Sequence, residues 1–412
     1  MGMSSGRILV LNTGSSSIKY ELIDPLTKER SARGLVERIG EEQGRLTHRA
    51  GDGQPLVRER RFDGHGDGLA AMVAAFREAG PELDPVAVGH RVVHGGTRFT
   101  EATLVDDEVI AAIEELAPLA PLHNPVNLTG IRLARDLFPH VPQVAVFDTA
   151  FHRTLPPEAH TYAVPREWRE LGVRRFGFHG TSCAYVSRRA AAILGRDPGE
   201  VNLIVLHLGN GASATAVEGG RSVDTSMGMT PLEGLVMGTR SGDVDPAIGG
   251  FLARTSDLDA AQVERGLTHR GGLLALAGSN DMRQVRARDD EEARLALAVY
   301  TRRIRKYVGA YYALLGRVDA IVFTGGVGEH DAATRAESLA GLERLGISVE
   351  PELNAGAASG ERAVSPPGAE VQVLVVPTDE EWEIARQTLT RLTSAPPPPA
   401  HPGTARPVPG RR

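Results

Sequence analysis

The sequence predicts an α/β protein of two domains with a duplicated core. A buried-type apolar run, Arg7-Ile-Leu-Val-Leu-Asn12, passes through a Gly/Ser turn into a second strand, and the same order returns at Val201-Asn-Leu-Ile-Val-Leu-His207, half a chain later. Strands alternate with helices through the rest, the pattern of α/β architecture. The length of 412 residues exceeds what one core ordinarily organises.

The elements follow in order. Arg7–Asn12 is continuously apolar, as in a strand covered on both faces, whereas Ile18-Lys-Tyr-Glu-Leu22 alternates like a half-buried one; Thr13-Gly-Ser-Ser-Ser17 between them is a turn by composition. Val86-Ala-Val-Gly-His90 and Val144-Ala-Val-Phe147 read as buried strands. After the second apolar run come a turn, Leu208-Gly-Asn-Gly211, and a strand of small residues, Ala212 to Val217. Tyr300, Ile304, Tyr307, Val308, Tyr311 and Leu315 recur at helical spacing and predict a helix over Glu291–Leu315 that leads into a strand, Ala320-Ile-Val-Phe323. A last strand, Val371 to Val376, precedes a helix holding Trp382, Ile384 and Ala385. The boundary falls near Ala150: domain one over 1–150, completed by the helix at about 382–393, and domain two over 151–381. Residues 394–412 are mostly Pro, Ala, Gly and Arg, a composition too poor in apolar surface to offset chain entropy, and are expected to be disordered and dispensable.

Forty-six basic against fifty-two acidic residues leave a formal charge of −6, which provides no footprint for nucleic acid or an anionic membrane. Any anion must therefore be held by local groups. The single cysteine, Cys183, forms no internal disulfide and suits a reducing compartment. No apolar run reaches bilayer length, and Met1 to Gly6 lacks a signal-peptide core, so the expected location is cytoplasmic.

Asn12-Thr-Gly-Ser-Ser-Ser17 and His207-Leu-Gly-Asn-Gly211 each follow a buried strand, and turns of Gly and small polar residues let backbone N–H groups approach phosphate closely. Each would also serve as an ordinary tight hairpin. Neither is a Walker A loop, and neither is a dinucleotide-binding fingerprint. A third glycine cluster, Thr324-Gly-Gly-Val-Gly-Glu329, follows the Ala320 strand and is expected as a turn before a helix, a place where nucleotides bind in α/β proteins. His90 and His94, four apart, read as structural hydrogen-bonding groups, and Arg169, Arg174 and Arg175 as a solvated face or a support for the cleft.

These segments, with Gly89-His-Arg-Val-Val-His-Gly-Gly96, Ala117-Pro-Leu-Ala-Pro-Leu-His-Asn-Pro125, Phe147-Asp-Thr-Ala-Phe-His152, Gly177-Phe-His-Gly-Thr-Ser182 and the block from Asp224 to Asp243, run in order over about residues 7 to 393. Together they resemble the acetate kinase family, within the actin-like, Hsp70-like and sugar-kinase ATPases. The resemblance implies two ribonuclease-H-like domains, an active site in the cleft between them and a homodimer. It implies reversible Mg²⁺-dependent transfer (Mn²⁺ can substitute) of the ATP γ-phosphoryl to acetate, giving ADP and acetyl phosphate, on the way to acetyl-CoA. By matching position, Asn12 and Glu380 would serve the metal and Lys19 would contact ATP. Arg91 would hold the carboxylate, Asp148 would be the central acidic residue, and His179 and Arg240 would stabilise the transition state. His207, Leu208, Gly209, Asn210 and Gly211, then Asp281, Met282 and Arg283, then Gly326, Val327, Gly328, Glu329 and His330 would line the nucleotide site. Val93, Leu122, Phe178 and Pro231 would form the acyl pocket. Cys183, His330 and Asp379 depart from the family pattern, which usually has His, Asn and Asn there.

The implied chemistry needs these residue types. A carboxylic acid with a pKa of roughly 4 to 5 is already ionised at neutral pH, so no general base is required. The obstacle is one anion approaching another, which calls for charge neutralisation and in-line positioning. A guanidinium grips a carboxylate through two parallel hydrogen bonds, which suits Arg91, or bridges equatorial phosphoryl oxygens, which suits Arg240. His179 donates a hydrogen bond without transferring a proton, while Asp148 either orders Mg²⁺ through water or orients Arg91. A phosphorylated Asp148 or Glu380 is the alternative route. An ATPase of the actin/Hsp70 type and a kinase acting on propionate or butyrate are the rival functions.

Overall fold

The computed structural model describes residues 6–356 and 360–394. Beyond Ser394, the tail expected to be disordered lies outside the described residues. Two sheets organise the chain. The first contains β1 (Ile8–Gly14), β2 (Ser17–Ile23), β3 (Arg30–Glu37), β4 (Gly44–Ala50), β5 (Leu56–Arg60), β6 (Ala87–Val92), β7 (Thr103–Leu104) and β8 (Gln143–Phe147), in the order β5-β4-β3-β2-β1-β6-β8-β7. The second contains β9 (Asn202–Leu208), β10 (Ala212–Glu218), β11 (Arg221–Thr225), β12 (Ala320–Thr324), β13 (Arg362–Ala363) and β14 (Gln372–Val375), in the order β11-β10-β9-β12-β14-β13.

Both sheets share one plan: an antiparallel meander (β1-β2-β3 or β9-β10-β11) whose first strand also pairs in parallel with a later strand, β6 or β12, which in turn pairs in parallel with the next, β8 or β14. The duplication read from the two apolar runs is therefore a duplicated topology. Those runs are apolar throughout because both faces are covered. Leu9 and Leu11 pack with Met72 and Phe76 of the helix His65–Ala79, while Ile8 and Val10 pack with Ile384 and Ala385 of the helix Glu380–Ser394. In the second sheet Leu203 and Val205 face Val186 and Ala190 of the helix Gly180–Ile193, and Ile204 and Leu206 face Tyr300 and Ile304 of the helix Glu291–Leu315.

The cluster Thr324-Gly-Gly-Val-Gly-Glu329 precedes a helix, Ala332–Leu339, as expected, but it is not itself a turn: a short helix, Gly325–His330, starts inside it. Gly325 has φ +77°, and a Cβ there would stand 2.8 Å from the Leu208 carbonyl oxygen, so glycine lets this helix begin directly against the end of β9. Among the described residues, no helix is long and apolar enough to cross a membrane.

Candidate active site

The parallel strands β1, β6 and β8 deliver polar side chains to one edge of the first sheet, beyond their carboxyl ends. Leu11 pairs with His90 and Arg91 with Val146, so Asn12, Arg91 and Asp148, which follows β8, are neighbours. The Arg91 guanidinium donates from Nη2 to Asp148 Oδ2 at 2.5 Å and from Nη1 to Asn12 Oδ1 at 3.4 Å; its Nε stands 3.8 Å from Glu380 Oε2. Thr181 donates its hydroxyl to the other oxygen, Asp148 Oδ1, at 2.9 Å. Burial opposes the charge on Arg91, but Asp148 and Glu380 outweigh it and the guanidinium is held protonated. Burial raises Glu380, and Asp148 and Glu381 add to the rise against the pull of Arg91.

Two buried asparagines of the helix Asn124–Leu137 lock this edge. Asn124 exchanges hydrogen bonds with the backbone of His94, and Asn127 accepts from Val93 N–H while donating to the Thr13 carbonyl. His90 Nε2 meets Gln143, and His94 Nδ1 accepts from Gly96 N–H, so each ring is engaged separately. Arg175 supports the cleft by donating to the Thr225, Ser226 and Met227 carbonyls and to Glu233.

The second sheet presents the β9–β10 hairpin, in which Leu208 pairs with Ala212 and His207 with Ser213. His179 caps the helix Gly180–Ile193 in the left-handed region, φ 58°, which a non-glycine residue seldom occupies; Gly180 N–H donates to the Asp148 carbonyl at 2.9 Å. The His179 ring stacks on His207 with centroids 4.2 Å apart, and its Nδ1 lies 3.0 Å from Ser213 Oγ. Burial holds His179 well below 6.5, reinforced by His207, Arg91 and Arg240, and burial brings His207 down to about 4. Both rings are neutral at neutral pH. A methyl group on Gly211 would meet Arg240 Nη1 at 3.3 Å and His179 Nε2 at 3.5 Å, so these two donors converge on the hairpin tip.

A cavity of about 720 Å³ adjoins that tip, and Gly209, Asn210, Asp281, Met282, Arg283, Gly326, Val327 and His330 line it. Five residues expected there do not. Leu208 points into the core, Gly328 is buried against Phe323, Glu329 Oε1 accepts from Gly325 N–H and Thr378 N–H, and His207 lies with His179. Gly211 stands beside Arg240, outside the lining. Lys19 is also elsewhere: its ammonium bonds Glu381 at 2.7 Å, with Glu380 nearby. Strand alternation explains Leu208, because its neighbours in the hairpin face opposite ways.

Val93 and Phe178 are buried, and the Pro231 carbonyl accepts from Arg240 at 3.4 Å. Leu122, expected in the same pocket, is 56% exposed in the turn before Asn124. Sequence reasoning missed Asn280, Arg286 and Tyr300 along the cavity, and it missed His123, whose charge is disfavoured by burial and by Arg240 and Arg91. His123 stands beside Leu122 in an already conspicuous block, which was the available signal; the other three carry no motif. Among the departures, Cys183 is buried near Thr215, His330 is exposed at the cavity mouth, and Asp379 grips Arg30 through both oxygens at 2.5 and 2.6 Å.

Residues 7–386 match the model of the Acetokinase family. The chain is 56% identical over 401 residues to an acetate kinase of Streptomyces coelicolor, covering 95% of this chain and 98% of that one. Its structure is similar to that of Porphyromonas gingivalis acetate kinase, with TM-score 0.89 and 43% identity over 94% of this chain and all of that one. It is also similar to a propionate kinase from Francisella tularensis, with TM-score 0.88 and 39% identity over 93% and 99% of the two chains.

Proposed function

We propose, from the premise that the chain belongs to the acetokinase family, that it is an acetate kinase moving the terminal phosphoryl group of ATP directly onto the carboxylate of acetate. The observation that carries the mechanism is the convergence of His179 and Arg240 beside the Gly211 tip, with Arg91 close enough to disfavour charge on His179. ATP and ADP are the co-substrates. The cavity beside Gly209 and Asn210 takes the nucleoside, leaving its phosphates to run past Gly211 toward Arg91.

Arg91 is already oriented by Asp148, so acetate meets a fixed guanidinium with part of its donor edge in use and its acyl group toward Val93 and Phe178. Arg240 and the neutral His179 donate to the phosphoryl oxygens, where charge accumulates in transfer. Asp148 has no proton to remove, and orientation of Arg91 is the role its geometry favours. Asn12 and Glu380 supply the amide and carboxylate oxygens that Mg²⁺ accepts beside substrate phosphates, with Mn²⁺ as a substitute. A cation there would offset the charge that burial, and then Asp148 and Glu381, make unfavourable on Glu380. When bound, the metal neutralises phosphate charge. Lys19, paired with Glu381 beside that site, reaches the phosphate end of ATP and not its base.

The division into 1–150 plus the final helix and 151–381 is supported by the two sheets and by the packing of Ile384 against Ile8 and Val10. A cytoplasmic homodimer accords with the single buried thiol and with the family.

A hydroxylamine trap run with acetate, propionate and butyrate tests the reading. Acyl hydroxamate should form with all dependence on ATP, and kcat/KM should fall along that series, by about 1–3 kcal/mol of discrimination per methylene. ATP hydrolysis that proceeds equally without a carboxylic acid, with no hydroxamate, would sink the kinase assignment; a rising series would sink acetate as the substrate.

A further inference from the structure

The transfer just described asks a neutral imidazole to point an N–H at the phosphoryl group, and a neutral imidazole has only one. Which nitrogen of His179 carries the proton therefore decides whether the ring helps or hinders. Its Nε2 faces Gly211 on the side shared with Arg240 Nη1. Its Nδ1 lies 3.0 Å from the hydroxyl of Ser213, a fully buried residue on β10.

Ser213 resolves the choice. Among the described residues its hydroxyl makes no other side-chain hydrogen bond. A buried hydroxyl that finds no acceptor costs about 1–3 kcal/mol, so its hydrogen goes to the lone pair of Nδ1. The imidazole proton is then on Nε2. The stacked partner differs: Ser182, which meets His207 Nδ1 at 2.9 Å, also meets Thr378 Oγ1 at 2.7 Å, so its hydrogen has two destinations and the tautomer of His207 is left undetermined by the same reasoning.

We propose that Ser213 is a positioning residue for phosphoryl transfer, donating its hydroxyl to His179 Nδ1 and thereby presenting the Nε2–H tautomer to the transferred group. This rests on the acetate kinase reading for its consequence, though not for the tautomer itself. The arrangement also fixes the ring plane, because the hydroxyl lies on a rigid central strand while His179 is held in a left-handed conformation.

The full-length protein, labelled with ¹⁵N-histidine, gives the first readout, with His179→Ala assigning the resonances. The parent should show His179 Nδ1 as the unprotonated nitrogen and Nε2 as the protonated one, and Ser213→Ala should move both toward an average of the two tautomers. In the hydroxamate assay Ser213→Ala should lower kcat about tenfold with KM for acetate and ATP within about twofold, and Ser213→Thr, which keeps the hydroxyl, should recover most of the loss. In a His179→Ala background the same Ser213→Ala change should alter kcat by less than about twofold. A parent ring protonated at Nδ1, a Ser213→Ala enzyme within about twofold of the parent, or an undiminished second loss on His179→Ala would each overturn the proposal. Failure of the kinase reading looks different: a parent that makes no acyl phosphate, whatever its nitrogen spectrum.

Discussion

Arg91→Ala should reveal how much of the site is held together by one ion pair. Asp148 is 1% exposed, with one oxygen on Arg91 Nη2 at 2.5 Å and the other on Thr181 at 2.9 Å. Removing the guanidinium leaves a buried carboxylate with a single neutral donor, a situation that costs about 3–5 kcal/mol. Part of this is returned, because the Arg91 Nε is buried without a hydrogen-bond partner and that penalty is lost on truncation. The net expectation is about 3 kcal/mol of lost stability, read as a lower urea midpoint at pH 7.5 without nucleotide. Arg91→Ala combined with Asp148→Asn should recover about 2 kcal/mol of it, since an asparagine keeps the Thr181 hydrogen bond and carries no charge. Both variants should lose about two orders of magnitude in kcat/KM for acetate in the hydroxamate assay. An Arg91→Ala protein within about 1 kcal/mol of the parent, or a double variant no more stable than the single one, would refute the idea that Arg91 and Asp148 compensate each other's burial.

Acid should destabilise the fold through its histidines. His90, His94, His152 and His207 are brought from 6.5 to about 4 by burial, so below pH 6.5 the unfolded chain binds protons that the folded chain refuses. Their stabilisation is complete above pH 6.5 and is lost as pH falls toward 4, at a limit of about 3 kcal/mol each; urea midpoints at pH 5 and 7.5 that coincide would contradict this. Gly211→Ala should leave the unfolding transition within a few tenths of a kcal/mol per contact strained, because Arg240 can give way, yet lower kcat at least about tenfold by placing a methyl between two phosphoryl donors. A normal kcat for this variant would move the transfer site away from the hairpin tip.

Much of this was legible in the chain because it depends on local pattern. Ile8 to Leu11 is apolar at every position, which a strand covered on both faces requires, and the helix Glu291–Leu315 shows its buried Tyr300, Ile304, Val308 and Tyr311 at helical intervals. The family blocks likewise singled out Arg91, Asp148, His179 and Arg240 one by one. Local pattern failed where a side chain has two environments to choose between. Leu208 and Gly209 are adjacent, but one is in the core and the other on the cavity. Glu329 carries a carboxylate in a nucleotide-type motif and spends it on backbone N–H groups. Asn124 and Asn127 carry no local mark of their role, although they fasten the strand end that carries Arg91.

The sequence by itself therefore determined the fold class, the duplication and the chemistry of the reacting groups, since these follow from hydrophobic period, glycine placement and residue type. Only the tertiary structure decided which partner each group has. Arg91 meets Asp148 across 57 positions of chain, His179 meets Ser213 across 34, and Arg30 meets Asp379 across 349. No local propensity encodes such pairings. They arise when parallel strands such as β6 and β8 end side by side and when helix ends pack against strands distant in sequence, and the charge, tautomer and orientation of each group are then set by whatever burial has placed beside it.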